Sequence, residues 1–82
     1  MKIISWNING IRSITKKDFF RDILLIEADV ICLQETKAQD AEVADALSPL
    51  AEYHQYYNSA KRKGYSGVAL LSKTKPIRYY SL

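Results

Sequence analysis

Along this chain the period of the apolar positions changes several times, and each change predicts an element. Residues 2–8, KIISWNI, alternate loosely and are rich in β-branched side chains, so they predict a strand. From Ser13 or Thr15, either of which can serve as N-cap, to about Glu27, the apolar positions Phe19, Phe20, Ile23, Leu24 and Ile26 recur at helical spacing. DVICLQE, at 29–35, is a short apolar run of the kind buried on both faces; it predicts a second strand, and the crossover helix favours parallel pairing with the first. In AQDAEVADALSPL, Val43, Ala44, Ala46 and Leu47 fall on a short helix that Pro49 stops. YHQYYN, SGVALLSK and IRYYS predict three further strands, with SAKRKGY joining the first two. There are no repeats, low-complexity tracts or linkers, and the alternation of strand and helix is that of an α/β fold.

Composition narrows the class. A chain of 82 residues is one domain or part of one, and at that size it buries only about 60% of the surface its unfolded form exposes. With 48% hydrophobic and 26% charged residues it is neither disordered nor membrane-embedded by composition. No apolar run approaches the roughly 20 residues that span a bilayer, and the N-terminus lacks a signal-peptide pattern, so the expectation is a cytoplasmic chain with no membrane partner. The lone Cys32 excludes an internal disulfide and predicts a buried structural thiol in a reducing compartment.

The net charge of +3 is modest but unevenly placed. All Asp and Glu lie within residues 1–52, whereas 53–82 carry Lys61, Arg62, Lys63, Lys73, Lys75 and Arg78. Such a segment favours anionic partners, phosphates above all; a solvated loop with surface lysines would have the same composition.

Candidate chemistry gathers where the first two strands end, because ligands of open α/β sheets collect at the carboxyl ends of parallel strands. Asn7 and Asn9 close the first strand and Glu35 the second. If the strands are neighbours, an amide oxygen and a carboxylate converge at one rim, a hard oxygen environment suited to Mg²⁺ or Mn²⁺. The competing reading pairs Glu35 with Lys37 or solvent and gives the asparagines only turn backbone to satisfy. A third stretch, NSAKRKGYSGVALLSK at 58–73, joins a basic triad to a Gly-Tyr-Ser-Gly turn. There Gly64 and Gly67 permit close backbone approach, Lys63 and its neighbours supply charge for phosphate, and Tyr65 offers a ring with a polar tip. A plain hairpin with turn glycines is the alternative. His54, the single histidine, sits in a Tyr-rich strand and reads as packing or surface rather than catalysis.

Taken together, SWNINGIR, ADVICLQETK and KGYSGVALLSK resemble, in order and spacing, the opening third of the exodeoxyribonuclease III type of apurinic/apyrimidinic endonuclease, within the endonuclease/exonuclease/phosphatase superfamily. The resemblance covers nearly all of the chain, residues 39–52 being the least informative. It implies the N-terminal part of a four-layer α/β sandwich, two packed sheets flanked by helices, with the C-terminal remainder of a single domain absent. It implies a Mg²⁺- or Mn²⁺-dependent DNA-repair nuclease with 3′–5′ exonuclease and 3′-phosphodiesterase activity, monomeric when whole, acting on double-stranded DNA at abasic sites or 3′ ends. By position it makes Glu35 and Asn7 catalytic and metal-binding, and Asn9 and Lys37 their supports. Arg12, Lys17, Lys63, Gly64 and Tyr65 would then touch DNA.

The family's later motifs, a tyrosine, an Asp-x-Asn pair and a Ser-Asp-His cluster, do not occur here; Tyr79 and Tyr80 read as strand residues. Since the chain starts at Met1 with a full first motif, the expectation is an N-terminal fragment, as from a partial reading frame or a split gene. Such a fragment would expose the apolar sheet face that a partner sheet covers, and would be marginally stable or aggregation-prone and inactive. Two other readings stay open: a non-catalytic nucleic-acid-binding module, and a superfamily phosphatase on lipid or nucleotide substrates.

Overall fold

The structure, a computed structural model, describes residues 1–60 and 66–75. Four strands form one sheet: β1 (Ile3–Asn7), β2 (Val30–Gln34), β3 (His54–Asn58) and β4 (Val68–Ser72), in the spatial order β1-β2-β4-β3. β1 and β2 run parallel with Asn7 opposite Gln34, as the crossover between them requires. β4 enters antiparallel on the other side of β2, and β3 pairs antiparallel outside it. Neither the wedging of β4 between β2 and β3 nor its direction is visible in the hydrophobic pattern. The third of the later strands, IRYYS, lies outside the described residues.

The long helix expected over 13–27 is two helices, α1 (Ile11–Ile14) and α2 (Phe19–Ile26). Neither expected N-cap serves as one: Ser13 lies inside α1, and Thr15 is its C-cap, the hydroxyl donating back to Ile11 O at 2.9 Å. Glu27, left-handed at φ 53°, ends α2 with its N–H donating to Ile23 O. The next helix is α3 (Asp40–Ala46), where Glu42 Oε1 accepts from Gln39 N at 3.3 Å. Pro49 does not follow the helix but lies inside a 3₁₀ turn, Ser48–Leu50, that continues from it.

The helices cover one face of the sheet. Phe19, Ile23, Val43 and Leu47 are buried against Ile31, Leu33, Ala69 and Leu71, and Trp6 stacks at 5.3 Å on Phe19. Alternation along each strand turns the other set of side chains away from this core. The expectation that β2 is buried on both faces is therefore corrected: Ile31 and Leu33 are buried, whereas Val30, Cys32 and Gln34 are only half-buried. Cys32 is accordingly not the buried thiol expected. On this open face Ile3 and Val68 remain 60% and 45% exposed. No helix among the described residues is long and apolar enough to cross a membrane.

Candidate functional site

Parallel pairing brings the ends of β1 and β2 to one rim of the sheet, and a second ladder extends beyond both strands. Ile8 N donates to Gln34 O at 3.1 Å, Gly10 N to Glu35 O at 2.8 Å and Ile11 N to Thr36 O at 2.9 Å. From the far side, the segment that opens β4 accepts in turn, with Thr36 N donating to Gly67 O at 3.1 Å and Lys37 N to Ser66 O at 2.6 Å. Two chain segments, 8–11 and 66–67, thus clamp residues 35–37 between them.

The backbone at this rim is unusual in conformation. Asn9, Glu35, Lys37 and Ser66 all adopt left-handed φ, at 49°, 55°, 53° and 35°, and Gly10 and Gly67 have φ of 108° and 94°. A non-glycine residue held there costs on the order of 1 kcal/mol, so a cluster persists only where surrounding bonds over-determine it. The consequence is that the side chains of Asn7, Asn9, Glu35 and Lys37 meet.

Asn7 donates through Nδ2 to Glu35 Oε2, and its Oδ1 accepts from Asn9 N at 3.2 Å. Lys37 Nζ donates to Asn9 Oδ1 and lies 3.8 Å from Glu35 Oε1. Where the sequence suggests an amide oxygen turned to a metal, the Asn7 amide nitrogen faces Glu35. Lys37 bridges Asn9 and Glu35, so the pairing of Glu35 with Lys37 and the convergence of the asparagines occur together rather than as alternatives.

The donor chemistry fits a hard divalent cation in kind: the rim is oxygen-rich, half-exposed and carries one carboxylate. Mg²⁺ is commonly held by one or two carboxylates, its other positions going to water and phosphate oxygens. Among the described residues no group of three or more His, Cys, Asp or Glu is placed to hold a metal.

Of the residues expected to touch DNA, Arg12 lies on α1 just past the rim, and its guanidinium pairs with Glu42 of α3 at 3.5 Å. Lys17 is exposed in the turn between α1 and α2. Lys63, Gly64 and Tyr65 lie outside the described residues, but the residues on either side of 61–65 are described. Asp40 Oδ1 accepts from Ser59 N at 2.9 Å and from the Ser59 hydroxyl, while Ser66 and Gly67 bond to Lys37 and Thr36. His54, at the opening of β3, is exposed. Asp40, Ser59, Thr36 and Ser66 were not singled out from sequence; an Asp opening a helix and a Ser-Gly pair opening a strand were the available signals.

Residues 4–81 match the model of the Endonuclease/Exonuclease/phosphatase family. The chain is 51% identical over 79 residues to an exodeoxyribonuclease of Bacillus subtilis (strain 168), covering 95% of this chain and 30% of that protein. It is 40% identical over 79 residues to the DNA repair nuclease APEX1 of Danio rerio, covering 94% and 26%. Among solved structures it is similar to an AP endonuclease from Archaeoglobus fulgidus, with a TM-score of 0.77 and 30% identity over 93% of this chain and 28% of that one. It is similar also to a Neisseria 3′ phosphatase, NExo, bound to a product DNA hairpin, with a TM-score of 0.75 and 27% identity over 94% and 29%. The chain therefore spans about 30% or less of the length of these relatives.

Proposed function

The chain belongs to the endonuclease/exonuclease/phosphatase family, and on that premise we propose that it forms the metal-holding rim of a DNA-repair nuclease. The reaction is hydrolysis of a phosphodiester, 5′ to an abasic site or at a 3′ end of duplex DNA. The observation that carries this reading is the contact of Asn7 with Glu35 at the carboxyl ends of β1 and β2, fixed by left-handed backbone on both sides.

Glu35 would hold Mg²⁺ or Mn²⁺, with Asn7 setting the rotation of its carboxylate and Lys37 bridging to Asn9. Bound there, the cation supplies neutralisation of the charge that builds on the phosphate oxygens during hydrolysis. Arg12 and Lys17, with Lys63, Gly64 and Tyr65, meet the DNA backbone and fix its register on the rim. The group that takes the proton from water is assigned to residues beyond these. The DNA hairpin bound by the Neisseria relative and the basic run Lys61-Arg62-Lys63 in the sequence support a nucleic-acid partner over a lipid one.

The test is a chimera in which the 79 matched residues replace their counterpart in the B. subtilis protein. It should nick an abasic duplex in Mg²⁺, stop in a chelator, and lose on the order of 10²–10³-fold in rate on Glu35→Gln with duplex affinity retained. A folded chimera that cuts equally well with Gln at position 35 would sink the proposal. Retained duplex binding that ignores both Glu35 and Mg²⁺ would point to a binding module instead.

A further inference from the structure

Thr36 sits between two left-handed residues, Glu35 and Lys37, and is 1% exposed. Its hydroxyl oxygen is buried with no hydrogen-bond partner among the described residues. What that oxygen does meet is the α-carbon of Gly67: a Cβ built on Gly67 would lie 2.5 Å from Thr36 Oγ1. Glycine carries only a hydrogen in this direction, so it leaves the hydroxyl room that a Cβ would take. No L-residue reproduces it, because the methyl of alanine would collide with Oγ1 and because φ at Gly67 is 94°.

The same two backbones are also bonded on either side of the contact, by Thr36 N to Gly67 O at 3.1 Å and Lys37 N to Ser66 O at 2.6 Å. Opposite them, Gly10 N donates to Glu35 O at 2.8 Å. Residue 36 is thus wedged, and its position sets where the left-handed Glu35 aims its carboxylate.

We propose that Gly67 and Thr36 are a positioning pair for the Glu35 carboxylate, transmitting the placement of the loop that opens β4 to the divalent-cation site. This rests on the reading of Glu35 as the metal carboxylate. Ordinary close packing would give the same contact but would not couple it to metal affinity, and the two differ in a binding measurement.

The full chain, labelled with ¹⁵N, is titrated with Mn²⁺, and paramagnetic broadening of the Asn7 side-chain and Glu35 amide signals gives the half-saturating concentration. Gly67→Ala should raise that concentration roughly tenfold or more, the range for groups that orient a metal ligand. Adding Thr36→Ala to Gly67→Ala should recover part of the shift, because removing Oγ1 vacates the space the new methyl needs while the strain of a φ of 94° at an alanine remains. If Gly67→Ala fails to fold, the comparison passes to Thr36→Ser and Thr36→Val: serine keeps Oγ1 and the wild-type half-saturation, whereas valine sets a methyl against Gly67 and raises it several-fold. Variants that melt earlier yet bind Mn²⁺ as the wild type does would overturn the pair, provided Glu35→Gln abolishes binding. Should Glu35→Gln bind Mn²⁺ normally, the metal reading itself falls, and the pairing with it.

Discussion

The sheet has two charged ends, and they are built on opposite principles. At the rim beyond the N-termini of β1 and β2, polar side chains bond to backbone. Asp29 Oδ2 accepts from Lys2 N at 2.7 Å, Lys2 Nζ donates to Ile26 O at 2.7 Å, and Tyr53 OH donates to Ala28 O at 2.8 Å. Lys73 lies 5.9 Å above the Tyr53 ring while its N–H donates to Asp29 O. At the carboxyl rim, side chains bond to one another: Asn7 to Glu35, and Lys37 to Asn9. The first end ties chain segments together through bonds from side chain to backbone. At the other, left-handed backbone holds a carboxylate, two amides and an ammonium in mutual contact. Polar groups aimed at backbone read as structure, whereas polar groups aimed at each other on a strained frame read as a site.

That contrast is breakable by experiment, and the largest effect should come from the carboxyl rim. Asn7→Ala frees the Glu35 carboxylate to rotate, so Mn²⁺ affinity should fall roughly 10–100-fold. Asn7 is exposed, so the thermal midpoint should move by no more than about 0.5 kcal/mol equivalent. A large loss of stability instead would make this rim structural too.

Tyr53→Phe is the mirror experiment. It strands the buried Ala28 carbonyl and should cost about 1–2 kcal/mol in urea unfolding, with Mn²⁺ binding unmoved. A shift in Mn²⁺ half-saturation would dissolve the separation of the two ends.

Arg12→Ala removes an exposed ion pair to Glu42 at 3.5 Å, worth at most about 1 kcal/mol of stability. If Arg12 reaches a phosphate when DNA binds, the slope of log affinity against log salt should drop by about 1. An unchanged slope would confine Arg12 to its ion pair with Glu42 of α3.

The smallest effect is expected at Asp29. The N–H of Lys2 holds its carboxyl below the ordinary 3.8, helped by the nearby N-terminus, Lys73 and Lys2 charges and opposed by partial desolvation. A lowered folded value contributes stability that is present above 3.8 and is lost as pH falls through the folded value. Asp29→Asn should therefore flatten the acid side of the melting-temperature profile below about pH 4 and leave pH 7 metal binding alone.

Much of this was legible because local pattern and local chemistry agree. The β-branched run of Ile3 and Ile4, the period of Phe19 and Ile23, and the apolar run through Ile31 and Leu33 announce strand, helix and strand, and the crossover dictates parallel pairing. From that pairing alone Asn7 and Glu35 could be placed at one rim. Less was legible between residues 13 and 18, where the Thr15 hydroxyl turns back on α1 and splits a single apolar period into two helices. One-sided burial of β2 was equally hidden, because an apolar run has the same composition whether its outer face is covered or open.

The sequence by itself determined the element types, the parallel β1–β2 unit and the identity of the groups at its carboxyl end, since all of these follow from spacing and side-chain chemistry within short stretches. Only the tertiary structure decided that β4 lies between β2 and β3, that Asn7 offers Glu35 its nitrogen, and that Thr36 abuts Gly67. Those are facts of contact between residues some 30 positions apart. No local preference encodes them, because left-handed backbone at Glu35 and Lys37 is unfavourable until two separate segments close around it.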